Sequence, residues 1–486
     1  SRLLEPCWGL ARPPGACWSF ARDRHLLVDV ALHRRGGVAF STRVEMATLS
    51  RAAFVLVFCS ANSWLWEYED TFHQCYSDIN ITGARAMARK GITLDDVSLR
   101  YCASRIPAVW PNTRTPVDSL RLFRSWERGW PEERRAEIWL ALTRYVRRNR
   151  IKVLVATPIS CSVADDDQDW EWTQMLIRRL GPDHIMGFAV GNELDLLYTH
   201  AKHDPGCLQR LWDGGGLWAQ FTRRVQQVDE MGYSRIPVTS VFTGAVLYGG
   251  TSWAPFMNVP GKALVNDFLL NATKKYGYRF TFTFNIYTYF DPALVVNPPR
   301  HTCKSGLHIA TCFDNHCLAI IAFQRSRRLM QRLTGRPDDR LWIGEIGWSS
   351  PKADALGTQM AYCPDFSSTS AFALFYGNFL RWDLSVSGVR DPDHVFYFTM
   401  RDALNFGNQE HFGLMDTCQS VECKIRTANY TAPPVLRGKY LPGMRITFFV
   451  VGAVLMAISC CNVCGARNAK VADNGEDSDS GDSASG

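Results

Sequence analysis

The sequence predicts an α/β protein built on a (β/α)8 TIM barrel and followed by a single C-terminal transmembrane helix. Three observations carry that expectation. Short apolar runs rich in β-branched and aromatic residues alternate with amphipathic helical stretches through the middle of the chain. Those runs are apolar enough for burial on both faces, as strands of a parallel sheet are. An uncharged apolar segment from Ile446 to Ala466 lies near the end. Eight β-α units close a barrel in about 250 residues before insertions, and the middle region, residues 64–435, has room for them.

Taken in order, residues 1–45 carry scattered Arg and Pro, begin without Met and show no usable period, and are expected to be a non-native upstream segment. Residues 46–63 read as a secretory signal: a basic stretch, Met46 to Arg51, an apolar run, Ala52 to Ser60, and small residues at Ala61-Asn62-Ser63. The barrel strands are expected at Ile151–Ala156, Ile185–Val190, Ile236–Val241, Phe280–Ile286, Leu341–Ile343 and Val395–Phe398. Val97–Tyr101 and Leu120–Phe123 are the candidates for the first two. Helices are expected at Pro131–Arg148, Asp169–Leu180, Leu217–Met231, Ala263–Tyr276, Leu318–Leu333 and Ser368–Asp383.

The segment 446–466, flanked by Arg445 and Arg467, has the length of a membrane-spanning helix, which needs about 20 residues. A signal exchanged for a lipid anchor would end in its apolar run. Here residues 467–486 follow, an acidic Ser- and Gly-containing stretch that cannot build a core and is expected to be a disordered cytoplasmic tail. Cys460, Cys461 and Cys464 sit at the membrane boundary, open to palmitoylation or to a structural role. The expected arrangement is single-pass type I, with the barrel lumenal or extracellular. Sequons at Asn80, Asn271 and Asn429 agree with it.

The formal charge of +7 is spread over the chain, and no basic stripe interleaved with aromatics marks a nucleic-acid partner. Ten of the 16 cysteines, Cys75, Cys102, Cys161, Cys207, Cys303, Cys312, Cys317, Cys363, Cys418 and Cys423, fall between the two apolar segments. An even set there is compatible with disulfides in an oxidising compartment, with the pairing left open. No metal or cofactor is expected. Cys312-x4-Cys317 lacks the second half of a zinc site, and His184, His200, His203, His301, His308 and His316 form no His-Glu-x-x-His pattern. Asp165-Asp166-Asp167 lacks calcium-loop spacing and reads as a solvated acidic loop. The glycines after Asp213 lack the Lys and strand context of a phosphate cradle.

Chemistry is expected where strands end. Phe188-Ala-Val-Gly-Asn-Glu-Leu194 and Leu341-Trp-Ile-Gly-Glu-Ile-Gly-Trp-Ser-Ser350 each set one carboxylate, Glu193 and Glu345, where an apolar strand breaks into a turn. In a parallel barrel such positions converge on one face. Asn192, Asn285, Tyr287 and Trp348 fall there too. One Gly-Asn-Glu is ordinary turn chemistry, whereas two strand-end glutamates are what paired-carboxylate glycoside cleavage requires.

These residues resemble the family 17 glycoside hydrolases, the plant and fungal β-1,3-glucanase group among the retaining (β/α)8 glycosidases. Val190-Gly-Asn-Glu-Leu194 looks like that family's Val-Gly-Asn-Glu-Val, and Gly344-Glu-Ile-Gly-Trp-Ser-Ser350 is similar to its Glu-Thr-Gly-Trp-Pro-Ser. Asn285-Ile-Tyr-Thr-Tyr-Phe290 resembles Asn-x-Tyr-Pro-Tyr-Phe, and Glu410-His-Phe-Gly-Leu414 echoes Glu-x-x-Phe-Gly-Leu with one residue fewer before Phe. The four lie in family order over residues 150–416.

The resemblance implies a β-glucan polysaccharide substrate, Glu193 as general acid/base, Glu345 as nucleophile, Asn192 near the sugar 2-hydroxyl and Tyr287 near the nucleophile. Tyr289, Phe290 and Trp348 would offer sugar-stacking faces. The chain departs from the pattern at Thr288 and Ser349, where the family has Pro, and at Ala403, where it has Glu. The family's opening Gly-Val-Asn-Tyr-Gly strand is not found. A transglycosylase of the same fold, or a catalytically weak cell-surface glycan-binding protein, are the alternative expectations.

Overall fold

The structure, a computed structural model, describes residues 26–29, 43–46, 75–197, 205–247, 260–290, 302–349, 363–404 and 410–432. The chain divides into two compact units, Ser1–Thr71 and Phe72–Gly486. What is described of the first is an antiparallel pair of strands, Leu26–Asp29 and Arg43–Met46, which nothing in the sequence period led one to expect. The expected signal segment after Met46, and the expected transmembrane segment 446–466 with its tail, lie outside the described residues. Among the described residues, no helix is long and apolar enough to cross a membrane.

The second unit holds a closed barrel of eight parallel strands: β1 Lys90–Leu94, β2 Ser119–Leu122, β3 Lys152–Thr157, β4 Ile185–Asn192, β5 Val238–Thr243, β6 Phe282–Asn285, β7 Leu341–Ile346 and β8 His394–Tyr397. Each pairs with its neighbour in chain order, and β8 closes onto β1. Six strands fall on the predicted runs and β2 on its candidate. The other candidate, Val97–Tyr101, is instead helix α1, Asp96–Tyr101. Asp95 caps it by accepting from the Ser98 amide, an N-cap that outweighs the alternation of Val97 and Leu99.

The true first strand, Lys-Gly-Ile-Thr-Leu, hides its character behind a lysine and a glycine. Lys90 is fully buried, its ammonium donating to the carbonyls of Phe379 (2.7 Å), Leu380 (3.0 Å) and Arg85 (2.9 Å). Gly91 is glycine because a Cβ would lie 2.6 Å from both the Phe396 ring and Ser119 Oγ.

The connecting helices are α2 Glu132–Arg148, α3 Val163–Leu180, α4 Gly216–Val228, α5 Pro260–Tyr276, α6 Cys303–Thr311, α7 Leu318–Thr334 and α8 Thr369–Arg381. Asp165, Asp166 and Asp167 correct the acidic-loop expectation: they form the first turns of α3 behind the Ser162 cap. Asp166 is buried there, accepting from the Ser160 amide (2.6 Å) and Gln220 Nε2 (3.0 Å). Aspartates suit the positive end of a helix.

One large apolar cluster lies between the strands and the helices. A second, smaller one of Leu154, Ala156, Ala189, Val241, Trp342 and Phe396 fills the barrel lumen. The ten cysteines form five disulfides: Cys75–Cys423, Cys102–Cys418, Cys161–Cys207, Cys303–Cys363 and Cys312–Cys317. The first two join the start of the barrel unit to its end, closing the long loops for which a cross-link removes most unfolded-state entropy.

Candidate active site

Strand alternation alone would point Glu345 the wrong way. On β7, Trp342 enters the lumen and Ile343 faces the helices, so Gly344 should point in and Glu345 out. The register shows the remedy. Between Ile343 and Ile346, β7 spends three steps against two on β8, and its pairing with β6 jumps from Ile343 to Glu345 over a single step on that strand. One extra residue turns Glu345 inward, as a β-bulge does. β4 carries the same device: Ala189 and Asn192 pair with Thr239 and Val241. Each bulge is built around a glycine. Gly191 adopts φ +77°, and a Cβ on Gly344 would lie 2.6 Å from Asn285 Oδ1 and 2.9 Å from Arg121 Nη1. Glu345 thus lies inside β7, not past its end as the sequence suggested, whereas Glu193 follows β4 directly.

Glu193 sits in the left-handed region at φ 53°, with its amide donating to the Val241 carbonyl (2.8 Å). The turn behind it is pinned by Asp195, which is fully buried and accepts from the Thr243 amide and hydroxyl.

One nitrogen joins the two carboxylates. Asn285 Nδ2 donates to Glu193 Oε1 (2.8 Å) and to Glu345 Oε1 (2.6 Å), so these oxygens are separated by no more than the sum of those lengths. That suits the roughly 5–5.5 Å spacing of a nucleophile and an acid, not the about 6.5–9.5 Å that leaves room for an intervening water. Asn192 joins through its Oδ1, which accepts from Arg121 Nη2 (2.7 Å) and lies 3.3 Å from Asn285 Nδ2.

Arg121, in the middle of β2, organises the cluster and was not singled out in the sequence. It is fully buried, forms an ion pair with Glu345 Oε1 (3.0 Å), and also donates to the Gly344 carbonyl (2.6 Å) and Asn285 Oδ1 (3.2 Å). Its guanidinium lies 4.6 Å from the Phe123 ring centroid. The available signal was a lone arginine inside an apolar strand, since a buried charge needs a partner. Tyr287 Oη donates to Glu345 Oε2 at 2.5 Å.

The electrostatics separate the two acids. Burial, then the charge of Glu345, raises the Glu193 carboxyl to about 8. Burial and the same carboxylates hold the Tyr287 hydroxyl well above its ordinary value, so it remains a donor. Glu345 has a buried cation, an amide and a phenol on its oxygens.

Two expected stacking residues are placed otherwise. Trp348 is fully buried, its indole donating to the Phe366 carbonyl (2.7 Å) and packed on Phe375 at 5.5 Å. Tyr289 is 2% exposed and meets Trp348 edge to face at 4.9 Å. Both rings are spent on the layer beneath the site, because the turn after β7 folds Trp348 inward against α8. The side chain of Phe290 lies outside the described residues. The aromatics grouped around Tyr287 are Phe398 (6.0 Å) and Phe412 (5.5 Å), with Phe123 on Phe398 at 5.9 Å. At the third departure from the family pattern, Ala403 is buried and accepts a backbone bond from Glu410 (2.9 Å). The Glu410 charge is close enough to help keep Tyr287 protonated.

No family model and no curated protein matches the chain. Among solved structures it is similar to a plant β-glucan endohydrolase, at 14% identity and TM-score 0.44 over 74% of this chain and 100% of that one. It is also similar to a Thermotoga maritima β-glucosidase in complex with castanospermine, at 12% identity and TM-score 0.40 over 64% and 80% of the two chains. A family 1 β-glucosidase from Thermotoga maritima follows at 11% identity and TM-score 0.39, over 71% and 96%.

Proposed function

We propose that this protein is a retaining glycoside hydrolase acting on β-1,3-glucan-type polysaccharide. The observation that carries the reading is the pair of carboxylates bridged by Asn285, one paired with a buried arginine and the other pushed up to about 8. A retaining mechanism needs one ionised and one protonated carboxyl at the same place and pH.

Glu345 attacks the anomeric carbon while the Glu193 hydroxyl gives its proton to the departing glycosidic oxygen. Glu193, now ionised, takes a proton from water, whose oxygen displaces Glu345 from the sugar and regenerates both groups. Arg121 and Tyr287 hold the attacking carboxylate in place. Asn192 has its carbonyl oxygen engaged by Arg121, which leaves its NH2 as the donor for a sugar hydroxyl. The β-1,3-glucan assignment rests on the four motifs shared with the family 17 enzymes.

A membrane-anchored, type I protein with its barrel in an oxidising compartment is part of the same proposal. The five disulfides and the exposure of the sequon residues Asn80, Asn271 and Asn429 support that placement.

The test is to incubate the purified full chain with β-1,3-gluco-oligosaccharides and resolve the products. Shorter products with retained anomeric configuration support hydrolysis. Longer products would assign transglycosylation, in which a sugar hydroxyl replaces water. Binding without turnover would leave a glycan-binding protein.

A further inference from the structure

The connection between β6 and β7 carries a cluster that the proposed reaction does not use. α6 runs into Cys312, which is bonded to Cys317, the N-cap of α7. His308 stands one helical turn before Cys312, and His316 immediately precedes Cys317. The disulfide, with its Cα atoms 5.5 Å apart, therefore staples two histidine-bearing segments side by side.

The imidazole centroids lie 5.7 Å apart at an interplanar angle of 34°. One ring nitrogen from each histidine and the Cys312 sulfur all lie within 4.8 Å of one another. Both histidines are exposed, and among the described residues neither ring has a hydrogen-bond partner. Cys312 has its sulfur committed to the disulfide and cannot act as a thiolate ligand while that bond stands.

We propose that His308 and His316 form a two-imidazole site for a borderline divalent transition cation such as Zn2+, Cu2+ or Ni2+, with water completing the coordination. Neutral imidazole nitrogens suit these ions, whereas Ca2+ and Mg2+ take oxygen ligands that the pair does not offer. Bonds of about 2.0–2.1 Å to both nitrogens require them to approach to about 3–3.5 Å. Exposed rings reach that by turning about their side-chain torsions, and the covalent staple holds the backbone in place meanwhile.

One hydrogen bond links the helix that carries His308 to the turn after Tyr287. The Ala310 carbonyl of α6 accepts from Thr288 Oγ1 (2.7 Å), and Thr288 follows Tyr287. A bound cation would clamp the corner on which the Tyr287 turn rests.

Isothermal titration of the full chain, free of any histidine tag and with its disulfides intact by mass spectrometry, tests the assignment with Zn2+ against Mg2+. One Zn2+ per chain is expected at this pair, with affinity falling about tenfold or more in His308→Ala and in His316→Ala. Electron paramagnetic resonance of bound Cu2+ should show two nitrogen ligands, reduced to one in each variant. Both side chains are exposed, so unchanged circular-dichroism melts are expected and would separate lost binding from lost fold. Zn2+ binding that is absent from the intact protein, or unaltered in both variants, would overturn the proposal. So would binding that arises only after a dithiol opens the disulfide, since cysteine thiolates would then be the ligands.

Discussion

Replacing Glu345 by Gln should lower the pKa of Glu193, and by a calculable amount. The substitution removes one negative charge and keeps the shape of the side chain. The two carboxylates share Asn285 Nδ2 at 2.8 and 2.6 Å. At a separation of about 5 Å and an effective dielectric of about 20, two like charges repel by about 3 kcal/mol, or about 2 pKa units. Glu193, raised to about 8 in the native site by burial and by Glu345, should then titrate near about 6, with burial accounting for what remains. The variant lacks the proposed nucleophile, so activity cannot report the change. A 13C titration of glutamate-labelled protein can, with the Glu193 resonance assigned through Glu193→Gln in the same background. A midpoint that moves by less than about half a unit would show that the two groups do not sense each other, and the division of roles drawn from their coupling would fail.

Four further outcomes follow from the same geometry. In the proposed mechanism Glu193 must carry a proton to act as acid, so kcat/KM should fall as pH rises through about 8, read from initial rates across the pH range. Tyr287→Phe removes a hydrogen bond to a charged group and should lower kcat by about 10- to 150-fold, corresponding to about 1.5–3 kcal/mol, with little change in melting. Arg121→Met leaves Glu345 buried without its cation. Chemical denaturation should register a loss of about 3–5 kcal/mol, and turnover should fall at least about 100-fold. Gly344→Ala forces a methyl against Asn285 Oδ1 and Arg121 Nη1, and should lower both the melting temperature and activity, whereas Gly129→Ala, with open space around it but φ +89°, should lower stability alone.

Much of the barrel could be read before its structure was known, because buried parallel strands announce themselves as apolar runs such as Val153 to Ala156 and Phe188 to Val190. The first strand could not, since its burial is achieved by a capped lysine and a glycine under Phe396, both long-range facts. The two glutamates and Asn285 were visible as polar residues at strand ends, the glutamates in Gly-Asn-Glu and Gly-Glu settings. The bulges that turn Glu345 and Asn192 inward were not, because a bulge is a relation between strands. Arg121 was in plain sight, yet its meaning depends on Glu345, 224 residues away. Trp348 and Tyr289 show the converse: aromatic character identifies a residue that will bury a large surface, but not whether sugar or protein covers it.

The central claim is that Glu345 forms a covalent bond to the sugar while Glu193 handles the proton. A β-1,3-linked 2-deoxy-2-fluoro glucoside with an activated leaving group slows breakdown of such an intermediate, so that it accumulates and can be located by peptide mass spectrometry. The protein should gain the mass of one fluoroglycosyl group, placed on the peptide containing Glu345 and absent in Glu345→Gln. A label on Glu193, or no label together with products of inverted anomeric configuration, would contradict the account.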